Sequence, residues 1–149
     1  MLDVRLRESL REDLGGTYGV SVTPELNRVP KPRYRIRMAF GSAPDRADEL
    51  TRSLLATVGE LRAHGPTPAE VANWKETVTR QQQVALRDNG EWASLLQAAD
   101  AGGEDLGVRL DLARWLTPLT PERLRQAAER YLDLGHYVRA TLLPAGHTP

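Results

Sequence analysis

The fold of this chain is decided near its start by the stretch LREDLGGTYGVSV, residues 10–22. Leucines lead into this stretch at every fourth position, and this spacing places them on one face of a helix. They are Leu2, Leu6, Leu10 and Leu14. Gly15 and Gly16 then supply the backbone freedom with which helices end. From Tyr18 onward apolar residues alternate with small or polar ones, the period of a half-buried strand. The stretch therefore predicts a helix, a sharp corner and a strand.

Two residues of this corner carry groups that can bind a ligand. Arg11 at the helix end and Tyr18 at the strand start are seven positions apart. A guanidinium with five N–H donors and a phenol can each bind a carbonyl or a carboxylate. The residues alone leave two interpretations open. Arg11 can be a solvated helix arginine and Tyr18 a core tyrosine with its hydroxyl at the rim, or both can form a binding site. The corner is the candidate functional site.

The composition excludes several classes of protein. With 149 residues the chain is most simply one domain over 1–149, and 40% hydrophobic with 27% charged residues is typical of a globular protein. Twenty basic residues balance twenty acidic ones, which argues against a nucleic-acid surface. The absence of cysteine excludes disulfides and thiolate metal sites, and no apolar run is long enough for a membrane span. An opening helix without an evident cap suggests a fragment of a longer chain.

The order of predicted elements gives the fold class. After the first strand, prolines at 24, 30 and 32 predict a loop over 24–32, and alternation at 33–40 predicts a second strand with three arginines on one face. A run of helices follows from residue 45 to about 131, and residues 137–143 are predicted as a closing strand. This order predicts an α+β sandwich, with helices on one face of a mixed or antiparallel sheet. Three strands are few for so many helices, so we expect at least one strand upstream of Met1.

The chain offers little catalytic chemistry of its own. None of its histidines, His64, His136 and His147, has a second histidine or a glutamate at helical metal-ligand spacing. No nucleophile elbow, phosphate-binding loop or dinucleotide fingerprint occurs either. We therefore predict that this chain alone holds no metal and is not an enzyme.

The corner motif at 10–20 resembles the non-zinc half of the pitrilysin (insulinase) family of zinc metallopeptidases, the family of insulin-degrading enzyme and the mitochondrial processing peptidase. There a second, homologous domain carries an arginine and a tyrosine seven residues apart, the spacing of Arg11 and Tyr18. Further matches follow in order, and the similarity covers about residues 2–144. They are the strand at 33–40, GPTPAEV at 65–71, LTPERL at 119–124, YL at 131–132 and LLP at 142–144. The family's inverted zinc motif, His-x-x-Glu-His, is absent.

The resemblance implies a C-terminal, catalytically inert domain of a zinc metallopeptidase, truncated at its front. The zinc would then lie in a partner domain of the same protein or in a partner subunit, with none in this chain. Tyr18 would stabilise the oxyanion of a peptide substrate, Arg11 would hold a substrate carbonyl, and Gly15 and Gly16 would form the tight turn. The alternative is a non-catalytic scaffold or assembly subunit of the same family. By resemblance we also expect a bacterial periplasmic location, and an exposed sheet edge makes a homodimer possible.

Overall fold

A computed structural model of the chain describes residues 1–13, 17–27 and 30–145. By its internal contacts the chain divides into two compact units. The first comprises Met1–Gly65 and Arg125–Pro149, and the second comprises Pro66–Leu124. The prediction of a single domain over 1–149 stays a prediction, and each unit is described by itself.

The first unit combines a two-stranded sheet with helices. Its elements are α1 (Leu2–Arg7), a π-helical segment (Glu8–Asp13), β1 (Thr17–Asn27), β2 (Arg33–Ser42), a 3-10 turn (Pro44–Arg46) and α2 (Ala47–His64). The two strands are antiparallel neighbours, with Val22 opposite Met38 and Val20 opposite Phe40. The predicted helix, corner and strand are thus present in this order on either side of residues 14–16, which lie outside the described residues.

The core of the first unit lies between its helices and one face of its sheet. Five side chains form the buried cluster: Leu6, Leu10, Leu50, Leu54 and Val58. The apolar side chains of β1 and β2 cover this cluster from the sheet side. Each fully buried leucine contributes about 1.5–3 kcal/mol relative to an exposed one. The predicted α+β class, with helices packed on an antiparallel sheet, is confirmed.

The first strand is longer than the sequence predicts. Pro24 was expected to begin a loop, yet it lies inside β1 opposite Ile36, and pairing continues to Asn27. Proline lacks a backbone N–H, so it is tolerated in a strand that has an unpaired edge. Among the described residues β1 pairs only with β2 and keeps such an edge. The prediction of a loop over 24–32 is therefore wrong at its front half.

The predicted closing strand at 137–143 is absent. These residues adopt no regular secondary structure and form no backbone–backbone hydrogen bond to any residue that the structure describes. Val138 is 94% exposed and Leu142 is 99% exposed. A strand requires a neighbour for its ladder, and an alternating sequence pattern cannot supply one. The correction is that this segment has the pattern of a strand without a partner among the described residues.

The second unit is helical. Its elements are α3 (Pro68–Ala85), α4 (Asn89–Gly102), α5 (Leu106–Leu110) and α6 (Leu112–Leu116), and α7 (Pro121–Tyr131) begins in it and ends in the first unit. The capping box predicted for α3 is present: Glu70 N donates to Thr67 Oγ1 at 3.2 Å and Thr67 N donates to Glu70 Oε2 at 2.7 Å. None of the helices in the described ranges has the length and apolarity needed to cross a membrane.

Candidate functional site

The structure places the backbones of the two predicted site residues on either side of the corner. Arg11 belongs to the π-helical segment and Tyr18 is the second residue of β1. The side chains of both lie outside what the structure describes, as do Gly15 and Gly16. Convergence of the guanidinium and the phenol therefore stays a prediction.

The helical side of the corner is held firmly in the first unit. Leu10, the neighbour of Arg11, is fully buried in the core. One residue earlier, the hydroxyls of Ser9 and Ser53 on α2 are hydrogen-bonded at 2.9 Å. In α1, Arg5 donates from Nη2 to the carbonyl of Gly65 at 3.1 Å. A π-helical turn is rare and frequently marks a functional site. The backbone of Arg11 thus starts from a fixed position.

The strand side of the corner contains a bulge at Tyr18. Thr17 lies opposite Ser42 and Gly19 lies opposite Gly41. The chain advances two residues on β1 and one on β2, so Tyr18 is the inserted residue. A bulge leaves the extra residue unpaired, bends the strand and re-aims the side chain, and bulges are over-represented next to active sites. The pattern of side chains along the sequence did not reveal this feature, because a bulge is a property of the pairing between two strands.

A bare stretch of backbone lies directly beside the bulge. Gly19 and Gly41 face each other across the ladder, and both are exposed. A Cβ built on either glycine would meet no described atom within 4 Å. Neither glycine has a positive φ, so neither is required by the local backbone conformation. The pair leaves an open patch of peptide groups where another chain can approach closely.

The sheet face on the side of these glycines is basic further along. Arg33, Arg35 and Arg37 alternate along β2 and are exposed. Arg35 lies opposite Glu25 on β1, with 3.6 Å between Nη1 and Oε2. This charge balance is that of an exposed antiparallel sheet face, and it would favour an acidic neighbour.

The histidines have local roles where the structure describes them. His64 Nε2 lies 3.4 Å from Glu60 Oε2 one turn earlier in α2. His136 Nδ1 lies 2.7 Å from Asp133 Oδ2. The Gly135 N–H and the His136 ring hold the pKa of Asp133 below its ordinary value. His147 lies outside the described residues. No group of three or more potential metal ligands occurs in the described ranges, and the location of zinc in a partner domain stays a prediction.

Solved structures provide the comparison that decides the fold. No family model matches the sequence, and no curated protein matches it. The periplasmic protease PqqL from Escherichia coli is similar, with a TM-score of 0.70 and 24% identity over 91% of this chain. The fold is that of M16 peptidase structures. M16 is the pitrilysin (insulinase) family, so the resemblance predicted from the sequence is confirmed.

Two further structures agree with this fold. The peptidase M16 inactive domain from Pseudomonas fluorescens has a TM-score of 0.71 and 20% identity over 87% of this chain. A protease from Helicobacter pylori has a TM-score of 0.70 and 17% identity over 86% of this chain. The chain spans 15% of the length of PqqL and 30% of each of the other two. It thus corresponds to one part of those larger proteins.

Proposed function

We propose that this chain is the substrate-binding, non-zinc half of a zinc metalloendopeptidase. The observation that carries the proposal is the bulge at Tyr18, which sets the predicted oxyanion donor apart from the ladder at the start of β1. The similar M16 structures support the relation to peptidases. The chain lacks a His-x-x-Glu-His motif, so the zinc belongs to another domain or subunit.

The roles of the two residues follow from the chemistry of peptide hydrolysis. Attack of a zinc-bound hydroxide on a peptide carbonyl places negative charge on the carbonyl oxygen. The Tyr18 phenol donates a hydrogen bond to that oxygen, and loss of one such donor typically costs about 2.7–4 kcal/mol. The Arg11 guanidinium donates to a neighbouring substrate carbonyl and fixes the register of the peptide. The open Gly19–Gly41 patch lets the substrate backbone pass close to both.

Reconstitution with the zinc-binding domain of the parent peptidase tests the proposal. The chain alone is expected to bind no stoichiometric zinc and to cleave no peptide. In the reconstituted enzyme, Tyr18→Phe lowers kcat by roughly 10²–10³-fold because one transition-state donor is lost. Tyr137→Phe is the matched control, because Tyr137 is a half-exposed tyrosine of the same unit. Equal turnover of Tyr18→Phe and wild type would remove Tyr18 from the mechanism and favour the scaffold alternative.

A further inference from the structure

The far edge of β2 borders a large cleft within the first unit. β2 pairs with β1 along one edge, and no described strand lies along the other. The cleft next to that free edge has a volume of about 1280 Å³ and is bounded by β2, α2 and residues 130–144, with no residue of β1 in its lining. Leu54 and Val58 of the buried core lie on its wall together with half-buried Leu55. An apolar cleft thus opens where the sheet stops.

The opposite wall of the cleft is the segment that was expected to be a strand. Residues 137–144 form no backbone–backbone hydrogen bond within the described ranges. The segment is attached to α2 by an ion pair between Arg139 and Asp48. Next to it, Leu132 and Leu134 pack against the core. Two stretches of backbone with unused peptide groups therefore border the same space, and such edges are templates for strand pairing.

The size of the cleft matches a single strand. A strand takes about 4.8 Å of width and about 10 Å of thickness in a packed sheet, and it rises about 3.3 Å per residue. On these dimensions the cleft corresponds to a strand of roughly 8 residues. No gap in the described ranges of this chain exceeds four residues. We propose that the cleft seats one further β-strand of the same peptidase, supplied by polypeptide outside these 149 residues.

The side chains of β2 specify the sequence pattern of this strand. Directly paired strands place their alternate side chains beside each other on each face. One face of β2 carries Arg33, Arg35 and Arg37, and the other carries Tyr34, Ile36 and Met38, which line the cleft beside α2. Only Arg35 has a carboxylate opposite it on β1. The missing strand therefore alternates acidic residues on the arginine face with apolar residues on the helix face.

Two other occupants fit less well. A second copy that paired through its own β2 would set arginines against arginines, and like charges directly opposite are destabilising. A transient substrate would leave Leu54 and Val58 uncovered after each release, although both belong to the buried core. A permanent strand satisfies the charge and the burial together. This inference does not depend on the catalytic role of Tyr18.

Synthetic peptides test the proposal on the 149-residue chain. The probe is a fluorescein-labelled nonapeptide of alternating glutamate and valine, and binding is followed by fluorescence anisotropy and by the Tm of the chain. We expect binding about tenfold tighter than for the matched lysine–valine peptide, with a raised Tm, because two or three opposite-charge pairs form. A glutamate–valine peptide with N-methyl groups on alternate residues keeps every side chain but blocks one pairing edge, so it should not bind.

Variants of the chain separate this cleft from the substrate site. The double variant Arg33→Glu/Arg37→Glu, at two exposed positions, should reverse the preference in favour of the lysine–valine peptide. Gly19→Val should leave the affinity unchanged, because β1 does not line the cleft. Loss of binding in Gly19→Val, equal affinity for both peptides, tight binding of the N-methylated peptide or no binding at all would overturn the proposal. A dimer of the chain that the peptide dissociates would also overturn it, in favour of a second copy.

Discussion

Gly19 of β1 faces Gly41 of β2 across the ladder, one residue after the bulge at Tyr18. Neither glycine has a positive φ, and a Cβ on either would meet no described atom within 4 Å. The fold itself therefore does not require glycine at these two positions. The open patch is available to a ligand that approaches the candidate site.

The first prediction is that Gly19→Val and Gly41→Val separate stability from activity. Valine favours strands and glycine weakens them, so the free energy of unfolding should stay equal or rise. The new side chains should push the substrate away from Tyr18, and kcat/KM of the reconstituted peptidase should fall roughly ten- to hundredfold. Thermal denaturation and steady-state kinetics measure the two effects.

A surface variant on the same strand provides the control for this pair. Thr23 is exposed on β1 and lies opposite Arg37, away from the glycine patch. Thr23→Val should change neither stability nor turnover appreciably. Wild-type kcat/KM in both glycine variants would show that substrate does not approach this patch.

The second prediction concerns the core of the first unit. Leu50 is fully buried among leucines of α1 and α2, so Leu50→Ala leaves a cavity. The free energy of unfolding should fall by about 2–5 kcal/mol. Leu26→Ala is the matched control, because Leu26 is 81% exposed and its truncation should change stability by less than about 0.5 kcal/mol. Urea denaturation of both variants is the measurement, and equal losses would contradict the described core.

The third prediction concerns the start of α3. Thr67→Ala removes the acceptor of the Glu70 N–H and should destabilise the second unit by about 1 kcal/mol. Thr77→Ala changes an exposed residue within the same helix, where alanine has the higher helix propensity. That variant should be neutral or slightly more stable in thermal denaturation. A smaller effect of Thr67→Ala than of Thr77→Ala would argue against the capping box.

The features that could be predicted from the sequence are those that depend on neighbouring residues. The spacing of Thr67 and Glu70 defines the capping box, and leucines at every fourth position define the buried face of α1. The bulge at Tyr18 escaped prediction because it depends on the register with β2. The absence of a strand at 137–143 has the same kind of cause, since pairing requires a second segment that the local pattern does not identify. Of the candidate site, the sequence gives residue types and spacing but not the strand geometry around them.

The fourth prediction concerns the pH dependence of the segment at 137–144. The hydrogen bond from Arg139 and the charge of its guanidinium hold the pKa of Asp48 below its ordinary value of 3.8. A carboxyl with a lowered pKa in the folded state contributes stability above the unfolded-state pKa, and this contribution is lost as pH falls through the folded-state pKa. Asp48 is exposed, so the loss should release the segment from α2 without unfolding the unit. NMR amide shifts of residues 137–143 should therefore titrate below pH 3.8, and Asp48→Asn should abolish that titration while Asp45→Asn should not. An unchanged titration in Asp48→Asn would show that another group holds the segment.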